Sequence, residues 1–220
     1  MPQRYRPIPD PYQQLIRSGP DAFLSTSVNI SFIPCPHFPA LISSMSPDLN
    51  PLTSVVAAES ARLAAAGTDV IDLERLRTVV DSMVPFNNFV GVRITELSRE
   101  HAVAELPVRD ELLNHFGTVH AGALFLAAEV AGAGAFSGAM APRVLQVQRF
   151  VLRESKVGFL KPASGRIRAR ATVDQQVVTE VLARRSAERF ELTGTALLHD
   201  DAGLLVARVE LDYVAWIAAA

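Results

Sequence analysis

From residue 73 onward the apolar positions along the chain keep a period, and the period changes twice. Leu73, Leu76, Val80 and Met83 recur at three- and four-residue steps, which puts them on one face of a helix that Asp69 or Asp72 can cap and Pro85 ends. Ahead of it, residues 55–66 are alanine-rich and predict a short helix closed by Gly67. At Val92 the period becomes two. Val92 and Ile94 alternate with Arg93 and Thr95, and beyond a polar turn at 98–100, Ala102, Ala104 and Leu106 alternate with His101, Val103 and Glu105, the pattern of a hairpin. A loop over 109–118 leads into a long apolar segment, 119–140, that Pro142 closes. It is apolar on all sides, as a helix buried on nearly every side would be. The rest reads as strands: 146–153, 156–160, a clean alternation from Ile167 to Val173, then 177–184, 190–198 and 204–214, with turns at 161–165 and 200–203. Helices, a hairpin, one long helix and a run of antiparallel strands predict an α+β fold, one sheet wrapped around one helix.

The first fifty residues break this order. Ten of the chain's fourteen prolines lie between Pro2 and Pro51, and neither a helical nor a strand period survives there. Residues 1–52 are expected to be a disordered extension, 53–84 a helical segment, and 85–220 the folded domain. Two variants of this expectation remain open: a natural start at Met45, and docking of residues 30–38 on an exposed strand edge or over the apolar pocket of the domain. If the extension is an unfolded tail, a chain starting at Met45 should keep its solubility, assembly and melting temperature.

Composition narrows the function. The 220 residues carry a formal net charge of −2, with no basic excess to suggest nucleic acid. The lone cysteine, Cys35, excludes an intrachain disulfide, fits a cytoplasmic location, and lies far from any candidate base. Residues 121–141 are long enough to be mistaken for a membrane span, but their Ala/Gly composition and central Glu129 make a lipid-facing helix unattractive, and no membrane partner is expected. His115, His120 and Glu129 fit no zinc spacing, so no metal is expected.

The candidate chemistry gathers around the start of the long helix. Glu129 is the single charged residue between Ala121 and Ala141, and a carboxylate there needs a partner, access to solvent or ligand, or a raised pKa suited to proton transfer. At the helix entrance the first backbone N–H groups have no intrahelical acceptor, and small Ala121 and Gly122 let a ligand oxygen approach them; tight packing against a strand would suit the same residues equally. Asn114, in the preceding loop, is placed to hold a carbonyl or a water, or to form a turn. His120 could donate to a carbonyl or be structural. Gly134 and Gly138 suit close packing of helix on sheet. The row Arg166, Arg168 and Arg170 reads as a solvated strand face, with phosphate recognition as the alternative.

The run from Asn114 to Glu129, with Gly117, His120 and Gly122 in register, resembles the hotdog-fold acyl-CoA thioesterases of the phenylacetate-pathway type and related hotdog proteins. Pro85-Phe86 with Gly91-Val92, and the run from Phe159 to Gly165, extend the likeness. Two positions depart: Ala121 stands where the family has the first glycine after histidine, and the acid is glutamate rather than aspartate. The resemblance implies a hotdog fold and hydrolysis of acyl-CoA thioesters, with CoA present as part of the substrate and no other cofactor. The Ala121 N–H, helped by Gly122, would polarise the carbonyl, Asn114 would orient the carbonyl or the water, and Glu129 would act as base or nucleophile. It also implies a homo-oligomer, dimer or tetramer, with each site between protomers. Acyl preference would follow from the packing of Phe125, Phe150, Phe159 and Phe190. Non-catalytic binding of an acyl-CoA or fatty acyl group is the alternative, and a dehydratase using His120 a third reading.

Overall fold

The computed structural model describes residues 27–31, 51–68 and 71–219. Cys35 and most of the proline-rich extension, including residues 32–38, lie outside them. The elements are β1 (Ser27–Ser31), α1 (Pro51–Ala65), α2 (Leu73–Ser82), α3 (Pro85–Val90), β2 (Arg93–Leu97), β3 (Ala102–Leu106), α4 (Ala121–Ala139), β4 (Val147–Phe159), β5 (Ile167–Val173), α5 (Gln175–Arg184), β6 (Glu188–His199) and β7 (Leu205–Ile217). The strands form one antiparallel sheet in the order β1-β4-β7-β6-β5-β3-β2. Helix α4 lies across it, and the fold is α+β as the pattern implied.

Alternation explains how the sheet holds the helix. In β5, Ile167, Ala169, Ala171 and Val173 are buried while the residues between them are exposed. Ala102, Ala104 and Leu106 of β3 and Leu192, Ala196 and Leu198 of β6 join them in one core with Leu124, Ala127, Ala131 and Ala135 of α4. Small residues bring the layers close. A Cβ on Gly138 would run into the carbonyl oxygen of Ser98, and one on Gly134 would meet Ala102, so the helix rests directly on the β2–β3 hairpin.

Four expectations change. Pro85 ends α2 but also opens α3 at its first turn, where its fixed φ and missing N–H are no handicap. The two strands around residue 155 are a single thirteen-residue β4. Residues 177–184, read as a strand, are helix α5. Asp174 accepts hydrogen bonds from the Gln176 and Val177 N–H groups (2.9 and 3.2 Å), and Val178 and Val181 face the core at helical spacing. Within the extension expected to lack strands, Ser27–Ser31 pairs with residues 154–158 of β4.

Candidate functional site

Helix α4 is not buried all round. Ala121, Gly122, Phe125, Leu126, Glu129, Ala133 and Ser137 form a half-exposed to exposed stripe along one side, while eleven other residues of the helix are buried. Positions four apart share a helix face, so the helix start and Glu129 look out the same way.

The helix start is built by its loop. Leu113 and Val119 bridge across it, the Val119 N–H donates to the Ala163 carbonyl (2.9 Å), and the His120 N–H donates to the Leu112 carbonyl (2.8 Å). Asn114 is the keystone. Its amide oxygen accepts from the Phe116 and Thr118 N–H groups (2.9 and 3.2 Å), and its amide nitrogen donates to the Thr118 hydroxyl (2.9 Å). The turn-forming reading of Asn114 therefore holds in this chain, with one amide N–H to spare. His115 is exposed, its ring tilted against that of Phe116 (3.9 Å between centroids).

His120 caps the helix: its Nδ1 accepts from the Gly122 N–H at 2.9 Å. A neutral ring bonded in this way carries its proton on Nε2. The cap also takes up the Gly122 N–H, so Gly122 has no donor left for a ligand. The Ala121 N–H has no acceptor among the described residues and is exposed. The sequence-level donor pair reduces to Ala121 alone.

Glu129 lies eight residues further, about 12 Å along the axis at ~1.5 Å per residue. Its carboxylate has neither hydrogen bond nor ion pair among the described residues, and burial raises its pKa above the ordinary 4.5. The structure thus brings Asn114, His120, Ala121 and Gly122 together and leaves Glu129 two turns away. A glutamate side chain cannot close such a gap onto a carbonyl held at the Ala121 N–H of the same chain.

A residue that the sequence did not single out stands near Glu129. Tyr213 of β7 is 1% exposed, and its hydroxyl has no hydrogen-bond partner among the described residues. Leaving such a group unpaired costs about 1–3 kcal/mol. Burial, and then the neighbouring Glu129 charge, push its pKa up. The ring packs on Phe150 (4.5 Å between centroids), which stacks on Phe136 (3.9 Å), with Phe190 beyond (6.5 Å). Of the four expected pocket phenylalanines, Phe150 and Phe190 join this cluster, while Phe125 and Phe159 pack on the core partly buried.

The arginine row stands elsewhere. Arg166, Arg168 and Arg170 point away from α4. Arg168 pairs with Glu96 (2.7 Å) and Glu105 (3.3 Å), and Arg166 with Glu105 (3.5 Å). The cleft they line, about 640 Å³ and the larger of the two that stand out, is on the face of the sheet opposite Glu129. It is an exposed strand face on which Arg166 and Arg168 are paired. Among the described residues no group of three or more His, Cys, Asp and Glu is set to hold a metal. Helix α4 is long and apolar enough to cross a membrane by length and composition, and its core side is packed on the sheet.

One antiparallel sheet wrapped on a single long helix, entered through an Asn-bearing loop, makes this a hotdog-fold protein. The chain belongs to the DUF4442 family, described as a domain of unknown function, which it matches over residues 74–216. No curated protein matches it. Among solved structures it is similar to a Pseudomonas aeruginosa protein of unknown function described as a probable thioesterase (24% identity, TM-score 0.55, 67% of this chain and 97% of that one). A thioesterase family protein from Silicibacter pomeroyi is similar at 21% identity and TM-score 0.54, over 67% of this chain and all of its own. A Shewanella oneidensis protein related to the thioesterase superfamily is similar at 20% identity and TM-score 0.51, over 64% and 93%. At these identities the likeness is one of fold.

Proposed function

We propose that the protein hydrolyses acyl-CoA thioesters to free acid and CoA as a homodimer or larger assembly, with each site shared between two protomers. One observation carries this reading. A free helix-start N–H and an unpartnered, burial-perturbed carboxylate lie on the same open stripe, but too far apart to act on one carbonyl within a chain. Two chains packed stripe to stripe in opposite directions would bring the Glu129 of each to the Ala121 N–H of the other. The thioester carbonyl would accept from that N–H, which stabilises the developing oxyanion. Glu129 would take a proton from the attacking water, or attack the carbonyl itself to form an anhydride that water then opens. CoA leaves as the thiolate and is protonated. The names of the similar structures support thioester chemistry at the level of the fold family.

The test is release of free thiol from short-, medium-, long-chain and aromatic acyl-CoAs. Glu129→Gln should lower turnover by ~10²–10⁴-fold while leaving the fold intact; full activity in that variant would remove Glu129 from the reaction. Binding without cleavage is the second reading. It is favoured by the helix entrance, which keeps one free N–H because His120 takes the Gly122 donor. Thermal stabilisation by acyl-CoA with no thiol released anywhere on the panel would select it.

A further inference from the structure

Among the described residues the hydroxyl of Tyr213 has no hydrogen-bond partner, yet the fold makes room for it. A Cβ at position 132 would run into this oxygen and crowd the Cδ1 of Leu211, so the glycine in mid-helix is what lets the phenol reach α4. A phenylalanine would fill the same space, bury the same ring against Phe150, and leave no polar atom stranded. Gly132 is one turn beyond Glu129, and residues three apart on a helix are neighbours. Two polar groups without partners, a phenol on the sheet side and a carboxylate on the open side, therefore meet the same turn of α4.

We propose that Tyr213 is the positioning residue of Glu129: its hydroxyl donates a hydrogen bond to the carboxylate, directly or through one water, and holds it in the orientation that meets substrate. The inference rests on the thioester-hydrolysis reading of this site. No other ionisable side chain competes for the role from the sheet. The faces that β3, β5, β6 and β7 turn toward α4 are built of alanine, valine, leucine, isoleucine and glycine with Phe190 and Tyr213; the charged residues of those strands stand on the opposite face, except Glu188 at the start of β6, which is paired with Arg184 (3.2 Å). From α2, Arg77 and Asp81 bond to the backbone of β2. Arg143, past the end of α4, donates to the carbonyls of Val181, Ser186 and Ala218, and His120 at its start accepts from Gly122. Tyr213 thus reaches Glu129 from beneath, and the carboxylate keeps its outward oxygen for water or the acyl carbon.

Tyr213→Phe in the full-length protein tests this. Loss of one hydrogen bond to a charged group predicts a kcat lower by about tenfold, with KM within about twofold. The acid limb of the kcat/KM profile should move to higher pH, because a lost donor leaves the ionised carboxylate less stabilised. The melting temperature should stay within a few degrees of wild type, because the ring keeps its packing on Phe150. Gly132→Ala is the second variant. It keeps the phenol but displaces its oxygen, and where it folds it should shift the limb in the same direction. An unchanged kcat and an unchanged acid limb in a folded Tyr213→Phe protein would reduce Tyr213 to packing. If the wild type releases thiol from no acyl-CoA, the hydrolysis reading fails on its own, and the contact is read instead by carboxyl-carbon NMR titration of Glu129. A pKa that rises in Tyr213→Phe sustains the pairing, and one that stays put overturns it.

Discussion

Burial holds the Glu129 carboxyl above its ordinary 4.5, with no partner among the described residues to offset the charge. The sign of its effect on stability follows from that direction. Below pH 4.5 the group is neutral whether the chain is folded or not. As pH rises from there through the folded value, the unfolded chain ionises first, so the folded state loses stability. Glu129→Gln has no such group, so the stability of the variant relative to wild type should grow with pH above 4.5 and level off once pH has passed the folded value. Denaturant midpoints of both proteins from pH 4 to 8 would show it; a constant offset at every pH would place the effect in packing. Glu129 was legible in the sequence because it interrupts an apolar run that has no other charge. Asn114 was legible as a residue of the entrance loop, but how its amide divides between turn and ligand depends on Phe116 and Thr118, which spacing does not resolve. Tyr213 was not legible. Strand alternation marks it as inward, but nothing local says that its hydroxyl meets a helix glycine far away in the chain.

At the scale of elements, helix α4 shows two opposing effects at a single position. An alanine at 138 would gain about 1 kcal/mol of helix propensity over glycine. Its Cβ would also meet the Ser98 carbonyl, and forcing extra volume into packed structure costs about 1–3 kcal/mol. The steric effect falls on backbone, which yields least, so Gly138→Ala should lower the denaturant midpoint. A raised midpoint would mean that the hairpin moves aside freely. Helix α5 explains the misread strand. Its four apolar positions, Val177, Val178, Val181 and Leu182, are β-branched or short-spaced enough to pass for a strand, and the deciding signal is the single cap at Asp174. Asp174→Ala should therefore cost about 1 kcal/mol, a few degrees in melting temperature. Strand β4 was split because the consecutive charged residues Arg153 and Glu154 break its alternation ahead of buried Ser155. Its pairing with residues 207–217 of β7, with two irregularities in register, makes it one element.

At the scale of the molecule, the shared-site reading predicts complementation. Mixed Glu129→Gln and Asn114→Ala chains each carry one intact half, so hybrid dimers should regain up to half the wild-type activity per dimer. Inactivity of a mixture shown to exchange subunits would argue that each chain works alone. The sheet itself limits how two copies can meet. At the β2 edge, Asp81 accepts from the Ile94 N–H (2.6 Å), Arg77 donates to the Ile94 carbonyl (2.7 Å), and a bulge interrupts the strand, so little is left for another strand to join. The opposite edge is β4, where β1 takes residues 154–158 and leaves the rest of the strand without a neighbour on that side among the described residues. Shortening the chain to Met45 removes β1 and bares that stretch, so sedimentation equilibrium should find self-association shifted to lower concentration; an unchanged dissociation constant would mean that β1 competes with nothing. A strand tethered to its own sheet is present at a fixed local concentration, whereas a second copy is present at whatever concentration the solution holds. Dilution then favours the tether and crowding favours the pair, so the β4 edge would count molecules, and a site completed across two chains would be assembled only where the protein is abundant.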